Sequence, residues 1–400
     1  MKYIIIVPDG MADHPIEKIG NKTPLEVAHT TNMDHMAKNG LTGLVQIIPE
    51  KMSPGSDIGN MAILGYDPKV CHTGRAPIEA ASQDILLAED EVAFRCNLVT
   101  VTNDTMTDYS AGHISTKEAI PLIESLNKEL GDNDVRFYPG KSYRHLLVLK
   151  VRDPKLYLSI KTVPPHDIID KKIKSFLPQG PQAPMILKLM ERSKEIFKNH
   201  PINQVRSDLK ESPVDMIWLW GQGSRPQLPS FESKFGVKGS IISAVDLVQG
   251  LGKLAQLEII DVPGATGYYD TNYLGKAQYA LESLKKNDFV YVHVEAPDEA
   301  GHNGDLKAKI AAIEAIDKDV VGTILNHFNE HDDVRILVLP DHPTPVEKRT
   351  HTHEPVPFAM FGKDIKHDGA DHLSETAAQA KGIKFESGEA MMAYFMRKTG

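Results

Sequence analysis

Residues 3 to 10 read YIIIVPDG, a short apolar run that ends in a proline, an acid and a glycine. Such a continuous run predicts a strand buried on both faces, as in a parallel sheet covered by helices. Asp9 then falls at the carboxyl end of this strand, where open α/β sheets bind their ligands. An acid at this point can equally well only cap a turn, so the role of Asp9 depends on what else reaches the same edge.

Strand and helix patterns alternate on either side of this stretch. Thr23 to Glu26 forms a capping-box pattern that predicts a helix ending near Gly40, followed by a strand over 44–48. Later predicted strands cover 215–220, 240–245, 257–262, 289–294, 334–339 and 356–361. The apolar stripe of the predicted helix over 306–328 is typical of core packing. The alternation predicts an α/β fold with a mostly parallel sheet and helices on both faces.

Ser56 lies in a glycine-flanked turn within MSPGSDIGNMAILGYDP (residues 52–68), just ahead of an apolar run that predicts a helix. Backbone N–H groups at a helix N-terminus favour anions, so this turn suits an oxygen nucleophile that acts on an anion. A serine hydroxyl is a weak nucleophile at neutral pH unless a base or a metal activates it. The rest of the chain must therefore supply an activating group.

The pattern changes over residues 88–212. This segment combines a predicted strand over 92–101, a helix from Ser115 to Gly131, a hairpin around Pro139-Gly140 and a helix over 185–198. We interpret it as an inserted α+β domain. Residues 1–87 and 213–400 would then form one discontinuous α/β domain.

The composition excludes several classes of function. The only two cysteines, Cys71 and Cys96, rule out a disulfide framework and a thiolate metal cluster. The net charge is −9 and no Lys/Arg block occurs, which argues against a nucleic-acid partner. Because there is no N-terminal signal peptide and no apolar run of about 18 residues, we expect a soluble, cytoplasmic protein with no membrane partner. The oligomeric state stays open.

Acids and histidines lie beside several predicted strands of the C-terminal half. The groups are Asp298 with His302, Asp341 with His342, and His351 with His353. The first pair shares one face of a helical turn and could hold one cation. Each group also has an ordinary alternative: a surface pair, a turn or a solvated loop.

Their common location favours a metal site. Most of these groups, with Asp9 and Ser56, fall at the carboxyl ends of strands in one predicted sheet, where they converge. Six carboxylate or imidazole groups and one serine oxygen are enough for two divalent ions; the set is Asp9, Asp298, His302, Asp341, His342, His351 and Ser56. Mixed oxygen and nitrogen ligands favour Mn²⁺ or Zn²⁺ over Ca²⁺. Two such ions would activate the serine hydroxyl and draw charge from a phosphoryl group during in-line transfer.

Five motifs resemble those of the archaeal-type cofactor-independent phosphoglycerate mutases of the alkaline phosphatase superfamily. They are PDG (8–10), PGSDIGNMAILGYDP (54–68), VHVEAPDEAGHNGD (292–305), LPDHPTP (339–345) and THTHEPVPF (350–358). The resemblance spans nearly the whole chain. It implies an alkaline-phosphatase-like metal-binding domain with an inserted cap domain, and a serine that is phosphorylated transiently. It also implies two divalent metal ions, with Mn²⁺ first and Zn²⁺, Co²⁺ or Mg²⁺ as alternatives.

The resemblance also implies how the ligands divide. Carried over to this sequence, one metal takes Asp9, Ser56, Asp341 and His342, and the other takes Asp298, His302 and His351. His353 would lie close to the metals without binding either one.

The cap is expected to hold a small phosphorylated acid with two anionic groups. Arginine grips such groups in a fork geometry. The substrate-binding candidates are Arg95, Asn97 and Arg144, with Arg225 and Lys238 from the hinge side. His113 is the candidate general acid/base that carries a proton between the two substrate hydroxyls. The alternative for each arginine is an exposed side chain that binds nothing.

The main hypothesis is an isomerase of glycolysis and gluconeogenesis that interconverts 3-phosphoglycerate and 2-phosphoglycerate through a phosphoserine, independently of 2,3-bisphosphoglycerate. One alternative is a related metal-dependent phosphatase or phosphoryl transferase, since relatives proposed as homoserine kinases share a stretch like Thr73 to Pro77 (TGRAP). Another is a metal-stabilised binding or regulatory protein without catalysis. Ser56 argues against this last hypothesis, because a purely structural metal site needs no nucleophile.

Overall fold

The computed structural model describes residues 1–328, 332–368 and 370–397, and the chain divides into two compact units. The first unit comprises Met1–His72 with Gln227–Gly400, and the second comprises Thr73–Pro226. The predicted insert, 88–212, lies within the second unit, which also takes in 73–87 and 213–226. Among the described residues, no helix combines the length and apolar character needed to cross a membrane.

The strands are numbered along the chain. They are β1 (Lys2–Pro8), β2 (Leu41–Val45), β3 (Glu91–Thr102), β4 (Thr105–Asp108), β5 (Val135–Tyr138), β6 (Arg144–Lys150), β7 (Met216–Ser224), β8 (Gly239–Ile242), β9 (Glu258–Ile259), β10 (Phe289–Val294), β11 (Val334–Val338), β12 (Val356–Gly362) and β13 (Lys384–Phe385).

The α-helices are numbered in the same way. They are α1 (Pro24–Val27), α2 (Thr31–Lys38), α3 (Ser56–Ile63), α4 (Pro68–Cys71), α5 (Arg75–Ser82), α6 (Thr116–Leu130), α7 (Pro154–Leu158), α8 (Ala183–Lys198), α9 (Pro201–Asp208), α10 (Phe231–Phe235), α11 (Asp246–Leu254), α12 (Tyr273–Ser283), α13 (Ala296–Asn303), α14 (Leu306–Ala315), α15 (Gly322–Leu325), α16 (Glu375–Lys381) and α17 (Gly388–Met396). Short 3₁₀ helices cover Glu17–Ile19, Pro165–Ile168 and Ile173–Phe176.

The first unit is built on an eight-stranded sheet in the order β13-β2-β12-β11-β1-β10-β8-β9. β12 pairs antiparallel with both of its neighbours, while the other pairs are parallel. The predicted α/β class with a mostly parallel sheet is therefore confirmed. Because β12 runs in the opposite direction, it begins at the edge where β1, β10 and β11 end.

Two predicted elements of the first unit differ in their limits. The capping box forms between Thr23 and Glu26, but the helix stops at Val27 and a separate helix, α2, follows. The strand predicted over 44–48 begins earlier, at Leu41, where it pairs with Met360 of β12. For the strand, pairing across the sheet overrides the local sequence preference that placed its start at residue 44.

The long helix predicted over 306–328 contains a π-helical segment, Ile316–Val321, between α14 and α15. The apolar side chains of its stripe, such as Ile313 and Ile324, are fully buried, as the core-packing interpretation requires. Within the π segment, the Asp317 carboxylate accepts hydrogen bonds from the backbone N–H of Met33 at 2.7 Å and of Asn32 at 3.2 Å. It thus caps the start of α2.

The second unit contains an antiparallel sheet in the order β4-β3-β6-β5, with β7 also paired to β3. The predicted hairpin around Pro139-Gly140 is confirmed as β5 and β6. The strand predicted over 215–220 forms as β7, but it joins this antiparallel sheet rather than the parallel one. Buried apolar side chains such as Phe94 and Trp218 form the core of the unit.

Candidate active site

The predicted ligands of the first unit follow neighbouring strands at one edge of its sheet. Asp9 comes directly after β1, Asp298 and His302 lie on α13 after β10, and Asp341 follows β11. β1 lies between β10 and β11, so these three chain ends are adjacent. His351 precedes the antiparallel strand β12 and therefore reaches the same edge.

Ser56 is the first residue of α3, and its Oγ lies 3.2 Å from His342 Nε2. The close approach of α3 to the Asp341 segment depends on Gly59. A Cβ added at Gly59 would lie 2.7 Å from the Asp341 carbonyl oxygen, closer than side chains pack. Glycine therefore allows the helix to bring Ser56 to the edge where the acids and histidines converge.

Asn60, one turn along α3 from Ser56, fixes the local geometry. Its Nδ2 donates to the Ser56 carbonyl oxygen at 2.9 Å and to Asp341 Oδ2 at 2.8 Å. Its Oδ1 accepts a hydrogen bond from the Tyr291 hydroxyl at 2.6 Å. The Asp341 carboxylate is held on its other oxygen by the Gly10 N–H at 3.2 Å. The candidate nucleophile, Ser56, and the Asp341 carboxylate are thus positioned by the same buried amide.

The Asp9 carboxylate is buried, with 1% of its surface exposed. Its Oδ2 lies 3.0 Å from His293 Nε2, whereas Oδ1 has no hydrogen-bond partner among the described residues. Burial, followed by the charges of Asp341 and Asp298, raises the pKa of Asp9 well above its usual value. An unpartnered buried carboxylate oxygen beside other carboxylates is the environment that a divalent cation would satisfy. The residues at this point therefore fit a metal ion.

Asp298, His302 and His351 form a second cluster. Asp298 Oδ2 lies 3.3 Å from His302 Nε2, Asp298 Oδ1 lies 3.4 Å from His351 Nε2, and the two Nε2 atoms are 2.9 Å apart. Burial raises the pKa of Asp298, but hydrogen bonds from the two histidines outweigh it and hold the pKa well below its usual value. The hydrogen bond with Asp298 raises the pKa of His302 to about 9. Two imidazole nitrogens that face the same carboxylate suit a shared cation.

Among the residues that the structure describes, the spacing of the ligand atoms defines three candidate metal-binding groups, within each of which the atoms lie within 4.8 Å of one another. They are Asp298, His342 and His351; Asp9, His293 and Asp341; and Asp9, Glu295 and Asp298. His342 thus groups with Asp298 and His351, although the resemblance assigns it to the other metal. His302 joins through its contacts with Asp298 and His351. His353 belongs to none of the groups and is exposed.

Sequence reasoning missed His293 and Glu295. Both lie in the motif VHVEAPDEAGHNGD, and a histidine inside the apolar run of β10 was the available signal for the first. Burial lowers the pKa of His293 to about 4, so it is neutral beside Asp9. Burial also raises the pKa of Glu295 to about 8.

In the second unit, Arg95 and Asn97 lie on β3 and point to the same face. Arg95 is 6% exposed, donates to Glu79 Oε2 at 2.9 Å and lies over the Trp220 ring at 4.1 Å. Burial lowers the pKa of Arg95 to about 10, with Glu79 opposing this effect. Asn97 accepts a hydrogen bond from Trp220 Nε1 at 3.0 Å.

Arg144 and His113, two other predicted residues of this unit, share Tyr143 as a neighbour. Arg144 pairs with Asn97 across β3 and β6, and its guanidinium lies 5.6 Å from the Tyr143 ring. The His113 ring lies 6.2 Å from the same tyrosine ring. Arg75 was not among the residues predicted from the sequence. The positive charges of Arg75 and Arg144 both lower the pKa of Arg95. Arg225, also in this unit, is exposed, as is Lys238 in the first unit.

Known proteins resemble this chain over almost its full length. A family model described as 2,3-bisphosphoglycerate-independent phosphoglycerate mutase matches residues 37–203. A protein of that name from Methanothrix thermoacetophila is 48% identical over 98% of this chain and 98% of its own. The chain belongs to the 2,3-bisphosphoglycerate-independent phosphoglycerate mutase family. The resemblance stated from the motifs is confirmed, and with it the enzyme class, an isomerase.

Solved structures agree with membership of this mutase family. A Pyrococcus horikoshii protein superimposes with a TM-score of 0.84 at 29% identity, covering 100% of this chain and 99% of its own. The cofactor-independent phosphoglycerate mutase from Thermoplasma acidophilum gives a TM-score of 0.69 at 26% identity, covering 99% of both chains.

Proposed function

We propose that this chain interconverts 3-phosphoglycerate and 2-phosphoglycerate through a phosphoserine at Ser56, without 2,3-bisphosphoglycerate. The observation that carries the proposal is the position of Ser56 Oγ, 3.2 Å from His342 Nε2, at the sheet edge where buried carboxylates and imidazoles gather. A binding protein would need the carboxylates and imidazoles but not the serine. The Methanothrix relative, which bears the mutase name, supports this choice over a phosphatase or a kinase.

We assign the ligands in the two sets that the motifs imply. One set is Asp9, Ser56, Asp341 and His342, and the other is Asp298, His302 and His351. The unpartnered Oδ1 of Asp9 supports the first set, and the 2.9 Å separation of the two Nε2 atoms supports the second. When bound, two divalent ions would activate the serine hydroxyl and spread the charge of the phosphoryl group. Mn²⁺ is our first choice, with Zn²⁺, Co²⁺ and Mg²⁺ as alternatives, because the donors are mixed oxygen and nitrogen atoms.

Ser56 carries the covalent step. Its Oγ gives up its proton and forms a bond to phosphorus as the bond from phosphorus to the substrate oxygen breaks, and that oxygen takes up a proton, which leaves phosphoserine and glycerate. The other hydroxyl of glycerate then takes the phosphoryl group back. Asn60 holds α3 in a fixed position relative to Asp341 during both steps, because it donates hydrogen bonds to the Ser56 carbonyl oxygen and to Asp341 Oδ2. Water must be excluded while the phosphoserine exists, since hydrolysis would turn the mutase into a phosphatase.

We assign substrate binding to the face of the second unit that carries Arg95, Asn97 and Arg144. The positive charges of Arg75 and Arg144 both act on Arg95, and positive charge collected in this way favours an anion. His113, whose ring lies 6.2 Å from the Tyr143 ring, is the candidate proton carrier. The roles of Arg225 and Lys238, and a cap bounded at residues 88 and 212, stay predictions.

Phosphorus NMR tests the proposed activity. Purified protein with Mn²⁺ and 3-phosphoglycerate, in the absence of 2,3-bisphosphoglycerate, is expected to produce 2-phosphoglycerate. A chelator should abolish the conversion and added Mn²⁺ should restore it. Release of free phosphate alone would identify a phosphatase, and inert phosphoglycerate beside ATP-dependent phosphorylation of homoserine would identify a kinase.

Arg144→Ala tests the assignment of the substrate-binding face. We expect kcat/KM to fall by roughly 10–100-fold, chiefly through KM, because a hydrogen bond to a charged group contributes about 1.5–3 kcal/mol. Arg136→Ala is the matched control, since Arg136 is an exposed arginine of the neighbouring strand β5. Equal kinetics for the two variants would remove Arg144 from the substrate site.

A further inference from the structure

Thr344 lies where three segments of the candidate metal site meet, although no step proposed above uses it. Its side chain is fully buried. Its Oγ1 lies 2.5 Å from Asp298 Oδ1 and 3.2 Å from His342 Nδ1. One hydroxyl thus touches a ligand of each implied metal set.

The direction of these hydrogen bonds follows from the position of His342. Its Nε2 faces Ser56 Oγ at 3.2 Å and Asp9 Oδ1 at 3.6 Å, so Nε2 is the atom available to a metal. A metal-binding imidazole nitrogen carries no hydrogen, which leaves the hydrogen on Nδ1. His342 Nδ1–H then donates to Thr344 Oγ1, and the Thr344 O–H donates to Asp298 Oδ1.

We propose that Thr344 is a positioning residue that orients one ligand of each metal set. It fixes the His342 tautomer with Nε2 free, and it fixes the carboxylate of Asp298. This inference rests on the two-metal site of the proposed function. It assigns Thr344 no contact with the substrate and no part in the covalent step.

The surroundings of Thr344 hold its hydroxyl in place. A Cβ added at Gly10, the residue after Asp9, would lie 2.6 Å from Thr344 Oγ1. A Cβ added at Gly301 would lie 2.7 Å from Thr344 Cγ2. Both glycines therefore allow their segments to close on Thr344, and the hydroxyl has little room to rotate away from Asp298 and His342.

The backbone of Thr344 is held independently of its side chain. Its N–H donates to the Ala12 carbonyl oxygen at 3.2 Å, and its carbonyl oxygen accepts a hydrogen bond from Lys309 Nζ at 2.9 Å. Replacing the hydroxyl with a methyl group should thus remove the two side-chain hydrogen bonds while the loop stays in place.

Thr344→Val and Thr344→Ser test the proposal by metal binding rather than activity. Isothermal titration of metal-free protein with Mn²⁺ should show a loss of affinity of roughly 10–100-fold for Thr344→Val, the usual cost of losing a residue that orients metal ligands. Thr344→Ser keeps the hydroxyl and should bind Mn²⁺ nearly as tightly as the unchanged chain. The melting temperature of the metal-free Val variant serves as the structural control.

The outcomes separate this inference from the proposed function. A lower melting temperature with unchanged Mn²⁺ affinity in Thr344→Val would overturn the positioning role. Equal loss of affinity in the Ser variant would also overturn it, because the hydroxyl would then be irrelevant. A chain that binds Mn²⁺ but fails to convert 3-phosphoglycerate would refute the function alone, whereas no Mn²⁺ binding by the unchanged chain would refute both.

Discussion

Ser56→Ala is expected to reduce mutase turnover by roughly 10⁴-fold or more while nearly all bound metal is retained. The alanine methyl cannot accept a phosphoryl group, so the covalent route is lost rather than slowed. The proposed metal ligands that remain, such as Asp9 and Asp341, are buried and held by other groups. Activity and metal content should therefore separate in this variant.

The measurement combines phosphorus NMR with metal analysis of the purified protein. Mass spectrometry of acid-quenched protein should find phosphate on Ser56 in the unchanged chain and none at this position in the variant. Ser53→Ala is the matched control, because Ser53 is an exposed serine three positions earlier in the same loop. Residual turnover of a tenth or more in Ser56→Ala would show that another group is the nucleophile.

The parallel sheet was predictable because its strands are buried on both faces. Ile4 to Val7 are fully buried, and such a run has few alternatives to a central strand. Asp9 and Asp341 could be placed at one edge for the same reason, since each directly follows a buried run. The convergence of the acids and histidines could therefore be predicted from the direction of the strands and their order along the chain.

Other features depend on contacts that no local pattern contains. The sequence of residues 215–220 is typical of a buried strand. A central strand of an antiparallel sheet has the same apolar composition, so only the pairing with β3 determines which sheet this strand joins. The role inferred for Thr344 depends on its distances to Asp298 and His342, which are set by where β10 and β11 end. A threonine in a loop carries no such signal by itself.

Lys309→Met is expected to give the largest loss of stability among the variants considered. The Lys309 side chain on α14 is fully buried, and its ammonium donates to Asp13 Oδ2 at 2.7 Å and to the Thr344 carbonyl oxygen at 2.9 Å. Burial lowers the pKa of Lys309, and the nearby Asp13 carboxylate opposes that shift. Methionine fills a similar volume but leaves the Asp13 carboxylate buried with no opposing charge.

The size of the loss follows from this unpaired charge. Removing one partner of a buried ion pair costs about 3–5 kcal/mol, whereas removing both partners often costs little. The double variant Lys309→Met/Asp13→Asn should therefore regain more than half of the free energy of unfolding that the single variant Lys309→Met loses. Recovery should be incomplete, because the His14 N–H bonds Asp13 Oδ1 at 2.8 Å and the Val346 N–H bonds Oδ2 at 3.1 Å, and the single amide oxygen of asparagine can replace only one of these acceptors.

Urea denaturation of the metal-free proteins, followed by circular dichroism, measures these differences without a contribution from metal binding. Lys307→Met is the control, because Lys307 is exposed on the same helix and should change stability by no more than about 0.5 kcal/mol. If the double variant were as unstable as Lys309→Met alone, lost packing rather than an unpaired charge would explain the effect. If neither variant differed in stability from Lys307→Met, the ion pair between Lys309 and Asp13 would contribute nothing to holding the Asp13 and Thr344 segments together. The single and the double variant both carry methionine at position 309. The free energy of unfolding regained in the double variant therefore measures the cost of the unpaired Asp13 charge.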